Sequence, residues 1–337
     1  MIMESLFALT LMIVFFAFIF DFINGFHDTA NTIATSVSTR ALRPRAAIIL
    51  AGVMNFLGAI TFTGVAQTIS KGVIDPFSIQ DETTGLIIVM AALISAILWN
   101  LVTWLFGVPS SSSHAIIGSL AGAGIAALGF GALNYKGFIE IFQALIFSPI
   151  AAITIGFIVM KLFTIIFHNF SLVKTNRRFR LFQVFTAALQ SFAHGTNDAQ
   201  KTMGIITMAL VASNYLTEVE IPLWVRIAAG LAMAMGTSVG GWRIVHTVGS
   251  KIMKIQPING AAADLTSATI IFGFTMIHFP VSTTHVITSS ILGVGSAERV
   301  RGVNWKMALN IVVTWVITLP FTALIGALIY HLLKWVL

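Results

Sequence analysis

The fold is decided by a short polar stretch that occurs twice. The first copy reads GFHDTANT at residues 25–32, and the second reads GTNDAQKT at residues 195–202, about 170 positions later. A second motif recurs at nearly the same offset, as PSSSSH at 109–114 and PVSTTH at 280–285. Shorter matches, such as Asn134-Tyr135-Lys136 with Asn304-Trp305-Lys306, follow in the same order. The chain is therefore predicted to consist of two repeats.

The composition around these motifs is that of a membrane protein. Of the 337 residues, 57% are apolar and 9% are charged, whereas soluble domains carry roughly 25% charged residues. The mean hydropathy is +0.93. These values exclude a soluble enzyme, a disordered chain and a nucleic-acid partner, despite a net charge of +7. Cysteine is absent, which excludes disulfides, thiolate metal sites and cysteine nucleophiles.

The apolar stretches predict an all-α polytopic protein with about 10–12 transmembrane segments in a lipid bilayer, because a spanning helix needs about 20 apolar residues. Thirteen of the 19 basic residues fall in four clusters, near 40–45, 174–180, 243–254 and 299–306. The positive-inside rule makes these clusters cytoplasmic. Both termini are then extracytoplasmic, with connecting loops at 107–113 inside and at 280–284 outside. The positive charge excess is explained by this topology.

Each half of the chain has an odd number of predicted crossings, so the second repeat is inverted. We expect a first transmembrane repeat at 1–168, a basic cytoplasmic linker at 169–180 and an inverted second repeat at 181–337. Inverted repeats with broken helices or re-entrant hairpins are typical of secondary transporters, which bind their substrate near the midplane at the repeat interface. The alternative is a duplication that is kept only for packing.

Asp28 and Asp198 occupy matched positions of the two copies. A carboxylate in hydrocarbon costs roughly 2.5–3.5 kcal/mol even on the mildest scale, so each needs a reason. Gly25 permits a helix break, and carboxylate, amide and hydroxyl oxygens together suit a monovalent cation or a proton. The alternative is a plain N-cap at an interfacial break. The candidate coupling-ion residues are Asp28, Asp198, Asn24, Asn31 and Asp264, with sodium possible at Asp28 and Asp198.

The two hydroxyl-rich motifs predict an anion site. Proline suits the first turn of a helix, and the free N–H groups and dipole of a helix N-terminus attract anions. Two such N-termini from opposite sides could hold one small oxyanion; alternatively, the hydroxyls only cap their own helices. The candidate substrate residues are Ser111, Ser112, Ser113, Ser282, Thr283, Thr284, Thr29, Asn197 and Lys201.

Other polar residues leave two interpretations open. His114 and His285 are either packed histidines or aids to proton coupling. Asp264 is either interfacial or part of a coupling path, and its expected counterpart in the first half is Asn55. Asp21, at the end of the first apolar run, is either interfacial or functional. Lys201 could neutralise Asp198 or face the anion, and either role would replace one bound cation.

These motifs resemble the duplicated signatures of the PiT family of inorganic phosphate transporters, over almost the whole chain. The resemblance implies symport of inorganic phosphate, or of a metal–phosphate complex, with protons or sodium, and it is compatible with a homodimer. Asp28 and Asp198 match the essential aspartates of the family. His27, Lys201 and Asn55 depart from sodium-coupled relatives and resemble the bacterial branch, in which proton coupling is typical.

We therefore predict a cation-coupled phosphate symporter of the cell membrane that works by alternating access, with protons favoured over sodium. We expect that the protein is not an enzyme and that it needs no cofactor beyond the coupling proton or sodium ion. The alternatives are a symporter of sulfate or a related oxyanion, an anion channel that would not need buried carboxylates, and an intramembrane enzyme with a single asymmetric cluster.

Overall fold

The computed structural model describes residues 2–75, 79, 81–169 and 172–336. This part of the chain is built from α-helices joined by short connections. In chain order they are α1 (Ile2–His27), α2 (Thr29–Ser38), α3 (Pro44–Thr61), α4 (Gly64–Gly72), α5 (Glu82–Phe106), α6 (Ser112–Leu128), α7 (Tyr135–Phe167), α8 (Leu172–Ala212), α9 (Leu223–Val239), α10 (Trp242–His246), α11 (Pro257–Met276), α12 (Thr283–Arg299) and α13 (Trp305–Val336).

Local signals account for several helix starts. Pro44 and Pro257 occupy the first turns of α3 and α11, where the missing N–H has no partner to lose. Asp81 caps α5 by accepting hydrogen bonds from the backbone N–H of Thr84 at 2.9 Å and from its hydroxyl at 2.5 Å. These bonds lower the pKa of Asp81, because they favour the ionised carboxylate.

Five described helical segments are long and apolar enough to cross a membrane, and a sixth is reached if the bent pair α9–α10 forms one span. That pair is bent by 65°. The other predicted segments are short or polar: α6 and α12 have 17 residues each, and α8 carries the polar motif in its middle. The prediction of an all-α membrane architecture is confirmed.

The two repeats reappear as equivalent elements. The pair α1–α2 corresponds to α8, α3 to α9, α4 to α10, α5 to α11, α6 to α12 and α7 to α13. The connections agree in detail: the side-chain amide of Asn134 donates to the carbonyl of Lys71 at 2.9 Å, and that of Asn304 donates to the carbonyl of Lys251 at 3.2 Å.

The repeats also pack on each other reciprocally. A Cβ on Gly122 of α6 would lie 1.9 Å from the carbonyl oxygen of Ala323 on α13, and a Cβ on Gly293 of α12 would lie 2.2 Å from that of Ile153 on α7. Each long helix, α7 or α13, therefore covers the short helix of the other repeat. Such reciprocal contacts are those of a two-fold relation, and they fit the predicted inverted repeats.

The segments at 107–113 and 280–284 are not the surface loops that the alternation of sides predicts. Residues 110–113 and 281–284 are at most 1% exposed. The helices α6 and α12 begin inside the protein, where their first polar groups are satisfied by protein partners rather than by water. The pairs α5–α6 and α11–α12 are therefore re-entrant hairpins with buried tips.

Two further sequence assignments meet the structure here. Residues 172–180 of the predicted linker form the first turns of α8, while residues 170 and 171 lie outside the described part. Asn55 is not the counterpart of Asp264, because Asn55 lies on α3, which matches α9, whereas Asp264 lies on α11, which matches α5. The two residues are also 209 positions apart, which does not fit the offset of about 170 that relates the other matched motifs.

Candidate functional site

Asp28 lies at the break between α1 and α2. It occupies the N-cap position of α2, yet its side chain makes no capping hydrogen bond. Its carboxylate instead accepts hydrogen bonds from the hydroxyl of Ser112 at 2.5 Å and from that of Thr284 at 3.0 Å. His27 Nδ1 lies 2.8 Å from the same carboxylate. The plain N-cap interpretation of Asp28 is therefore not what the structure shows.

Asp198 lies in the middle of α8 and is the second carboxylate of the site. Its Oδ1 is 2.7 Å from the ammonium of Lys201. Its Oδ2 accepts hydrogen bonds from the amide of Asn24 at 3.3 Å and from the hydroxyl of Thr283 at 3.2 Å, and His194 Nε2 lies 3.3 Å away. Groups from both repeats thus converge on this carboxylate, as they do on Asp28.

Lys201 joins the two carboxylates into one cluster. Besides contacting Asp198, its ammonium donates to the hydroxyl of Ser112 at 2.9 Å, which itself donates to Asp28. The amide of Asn31 donates to the hydroxyl of Thr284 at 2.9 Å. We refer to these residues as the central cluster: Asn24, Asp28, Asn31, Ser112, Asp198, Lys201, Thr283 and Thr284. None is more than 1% exposed, so the cluster is closed to both sides of the membrane.

The donors of the central cluster are those that an oxyanion needs. Ser112 belongs to the first turn of α6, and Thr283 and Thr284 belong to that of α12. The first N–H groups of these helices have no intrahelical carbonyl to bond, and both dipoles place positive potential at the cluster. In this closed arrangement the two carboxylates occupy the hydroxyl donors. A tetrahedral oxyanion could replace them there, because it offers the same kind of acceptor.

The other predicted hydroxyls play more local roles. Ser111 accepts from the backbone N–H of His114 at 3.1 Å and caps α6, while Ser282 accepts from that of His285 at 3.3 Å and caps α12. Ser113 donates to the carbonyl of Val281 at 2.7 Å and links the two hairpin tips. The capping alternative thus describes Ser111 and Ser282.

Thr29 and Asn197 lie beside the cluster with their polar atoms engaged elsewhere. The hydroxyl of Thr29 accepts from Asn55 at 3.0 Å and from Thr237 at 3.1 Å. The amide of Asn197 donates to the hydroxyl of Thr275 at 3.0 Å, and its oxygen accepts from the backbone N–H of Val281 at 3.1 Å. Asn197 therefore holds the tip before α12, and contact of either residue with substrate stays a prediction.

Asp264 lies apart from the central cluster. Its carboxylate accepts from the hydroxyl of Thr35 at 2.6 Å and from that of Thr186 at 3.4 Å. Thr35 is seven residues beyond Asp28, which is about 10 Å along a helix. The side chain is fully buried within the protein, and its place in a coupling path stays a prediction.

Two histidines lie next to the carboxylates, and neither was among the predicted site residues, although His27 was named as a departure from sodium-coupled relatives. Besides contacting Asp28, His27 lies 3.1 Å from the hydroxyl of Thr103, and His194 lies 3.0 Å from the amide oxygen of Asn55. Only their spacing from the aspartates, one and four residues, could have indicated them.

The histidines that the sequence did single out form a stack at the hairpin tips. The rings of His114 and His285 are 4.6 Å apart between centroids, and His285 stacks on Trp315 at 3.8 Å. Among the described residues, no group of three or more acidic or histidine side chains could hold a metal ion. Sodium at Asp28 and Asp198 stays a prediction.

Comparison with known proteins identifies relatives along the whole chain. The sequence model of the phosphate transporter family matches residues 24–174 and 168–326. A protein of Bacillus subtilis described as a probable low-affinity inorganic phosphate transporter is 62% identical over 98% of this chain and 99% of its own. A relative of the same description from Rhizobium meliloti is 46% identical over 93% of each chain.

The fold has a solved counterpart. The structure titled "The sodium-dependent phosphate transporter" superposes with a TM-score of 0.91 at 26% sequence identity, and the match covers 98% of this chain and 100% of that one. The family and these relatives carry transporter descriptions, which confirms the prediction of a transporter rather than an enzyme. The duplicated motifs, the helical membrane fold and these matches agree: the chain is an integral membrane protein that belongs to the phosphate transporter family.

Proposed function

We propose that the protein carries inorganic phosphate across the cell membrane by cation-coupled symport, with the proton as the favoured coupling ion. The observation that supports this most strongly is the central cluster, in which Ser112 and Thr284, from the helix starts of opposite repeats, converge on one carboxylate. Family membership supports phosphate as the oxyanion, since the relatives are described as inorganic phosphate transporters.

The charges of the cluster support coupling to a cation. Two carboxylates, Asp28 and Asp198, and one ammonium, Lys201, leave one net negative charge when the histidines are neutral. Phosphate adds further negative charge, and unpaired charge in a membrane interior is expensive. A loaded and closed site therefore requires protons or cations that enter with the phosphate. A channel would not need these carboxylates.

The position of Lys201 supports protons over sodium. Its ammonium lies 2.7 Å from Asp198, in the place that a bound monovalent cation would take. The second carboxylate, Asp28, is paired with His27 at 2.8 Å, so a side chain that can carry a proton already occupies this side of the carboxylate. The solved relative is titled as sodium-dependent, which makes sodium the competing candidate.

Full burial of the cluster supports alternating access. With none of its members more than 1% exposed, phosphate cannot enter or leave unless the packed elements move. The reciprocal contacts of α6 with α13 and of α12 with α7 provide two equivalent bodies that can move relative to each other.

The test is uptake of radiolabelled phosphate into proteoliposomes. We expect Asp28→Asn and Asp198→Asn each to reduce uptake to the level of empty vesicles, because each removes a charge that the coupling ion must balance. Glu218→Gln is the matched control, since Glu218 is an exposed acid in the connection before α9, and it should transport like the wild type. Wild-type rates in both aspartate variants would refute the mechanism.

The coupling ion is tested by imposing proton and sodium gradients separately, with sulfate as a competitor. We expect a proton gradient alone to drive accumulation. Accumulation driven by sodium alone would replace the proton in the proposal, strong competition by sulfate would change the substrate, and flux far above carrier rates without uphill accumulation would indicate the channel.

A further inference from the structure

A stripe of polar residues runs along one face of α1 and α2. Its members are Asp21, Asn24, Asp28, Asn31 and Thr35, at alternating spacings of three and four residues that keep them on one side of a helix. Asn24 bonds to Asp198, Asp28 to both hairpins, Asn31 to Thr284 and Thr35 to Asp264. Asp21 is the member that the proposed transport mechanism does not use.

Asp21 is a buried acid with little polar compensation. Its side chain is 0% exposed, and the hydroxyl of Thr202 faces it from α8. That hydroxyl has no other hydrogen-bond partner among the described residues. A carboxylate in such a place is expensive, so its presence requires an explanation.

The other repeat shows what this position needs for packing alone. The counterparts of Asp21 and Thr202 are Ser191 and Thr32, and the hydroxyl of Ser191 donates to that of Thr32 at 3.4 Å. A serine thus suffices between the equivalent helices. The acid in the first repeat therefore requires another reason than packing.

The charged groups that interact with Asp21 belong to the central cluster. Asp198 and Lys201, both on α8, are its electrostatic partners. Of the other elements packed on α1, α2 carries Asp28, which bonds to both hairpins. The acid of α5, Glu82, bonds to Asn214, and Arg226 of α9 bonds to the carbonyl of Ile60. Among the described residues, the charged groups that act on Asp21 are therefore those of the Asp198–Lys201 pair, and His194 of α8 adjoins that pair through Asp198.

We propose that Asp21 binds and releases a coupling proton, with Lys201 balancing its charge when the proton has left. The inference rests on the proposed phosphate symport and names the residue that carries the coupled proton. In the closed arrangement Lys201 is held by Asp198 and Ser112. For symport, Asp21 carries its proton while phosphate is bound; after phosphate has left the site, the O–H bond of Asp21 breaks and water accepts the proton. The ammonium of Lys201 is then the cation that offsets the ionised carboxylate of Asp21.

A proton fits this position better than sodium. A sodium ion bound at Asp21 would be repelled by the ammonium of Lys201, which acts electrostatically on Asp21, whereas a bound proton leaves a neutral acid that is not repelled. The unpartnered hydroxyl of Thr202 can hydrogen-bond to either form of Asp21, because a hydroxyl both donates and accepts.

The experiment compares two activities of the purified full-length protein in proteoliposomes. The first is exchange of radiolabelled for unlabelled phosphate without any gradient, and the second is uphill accumulation driven by an imposed pH gradient. A gradient of about one pH unit supports about tenfold accumulation for each coupled proton. We expect Asp21→Asn to keep exchange and to lose about tenfold of this accumulation, together with the proton uptake that accompanies phosphate entry.

Two matched variants serve as controls. Asp21→Glu keeps an acid at this position and should accumulate phosphate. Ser191→Ala changes the equivalent position of the other repeat, which has no acid, and should leave exchange and accumulation unchanged. Wild-type accumulation in Asp21→Asn would overturn the inference. Loss of exchange in Asp21→Asn would overturn it as well, and so would an Asp21→Asn variant in which only the dependence of phosphate uptake on sodium has changed. Absence of exchange in the wild type would instead overturn the proposed function, so the two failures are distinguishable.

Discussion

At the scale of single residues, the central cluster depends on one fully buried ammonium. Lys201 has no exposed surface and contacts Asp198 and Ser112. A buried ion pair contributes little net stability compared with an apolar pair, but removal of one partner leaves the other charge uncompensated. Lys201 is therefore expected to affect the folding of the transporter as well as the proposed coupling.

We expect Lys201→Met to lower the free energy of unfolding by about 3–5 kcal/mol, because Asp198 would remain buried without its counter-charge. Thermal unfolding in detergent measures this loss. The double variant Lys201→Met/Asp198→Asn should recover a large part of it, since both charges are then absent. Lys71→Met, which removes an exposed lysine on α4, is the control. Additive losses in the double variant would contradict the pairing.

The sequence predicted both aspartates and the place of Lys201 beside Asp198, because an inverted repeat brings matched motifs together at its interface. It could not rank the individual hydroxyls. Ser111, Ser112 and Ser113 are consecutive, and only the direction of each side chain decides that one caps a helix, one binds Asp28 and one links the hairpins. For the same reason, the sequence did not predict that His27 contacts Asp28 or that His194 contacts Asp198.

At the scale of helices, glycines set how closely the repeats approach. Gly122 and Gly293 face the backbone of a long helix from the other repeat, and small residues allow such close backbone contact between membrane helices. The order of the motifs predicted the repeat. It could not predict that each long helix packs on the short helix of the other repeat, because an apolar face does not specify which other apolar face it packs on.

We expect Gly122→Ala and Gly293→Ala each to lower the free energy of unfolding by roughly 1–3 kcal/mol, because the added Cβ forces a backbone shift. Gly273→Ala on α11 is the matched control, since its Cβ would meet nothing within 4 Å. That control should be neutral or more stable by about 0.5–1 kcal/mol, as alanine is the better helix former. Thermal unfolding of the three variants checks this, and equal stability would refute the close packing.

At the scale of the whole molecule, the basic clusters predict which loops face the cytoplasm. The connection at 40–45 carries three arginines, whereas the connection at 214–222 carries two glutamates. The sequence therefore assigns sides to the membrane protein as a whole. The prediction of surface loops at 107–113 and 280–284 was wrong. The hydropathy pattern cannot distinguish a buried hairpin tip from a short surface loop, because both interrupt an apolar run with proline and serine.

Single cysteines can test the predicted sides directly, because the chain contains no cysteine of its own. We expect Thr217→Cys to react with a membrane-impermeant maleimide in intact cells, and Ala46→Cys to react only after the membrane is opened. Both positions are exposed. The reverse pattern of labelling would invert the topology.

Because each long helix covers the short helix of the other repeat, the first repeat cannot complete its packing until the end of the second repeat has been synthesised. α6 ends at Leu128, but its covering helix α13 starts at Trp305. At about 5–20 residues per second, the ribosome needs on the order of 10–40 s to synthesise the chain between them. For that time the glycine face of the first hairpin has no native neighbour. By the same logic, a fragment that contains the first repeat alone could bury this face only against a second copy of itself or against the second repeat supplied as a separate chain.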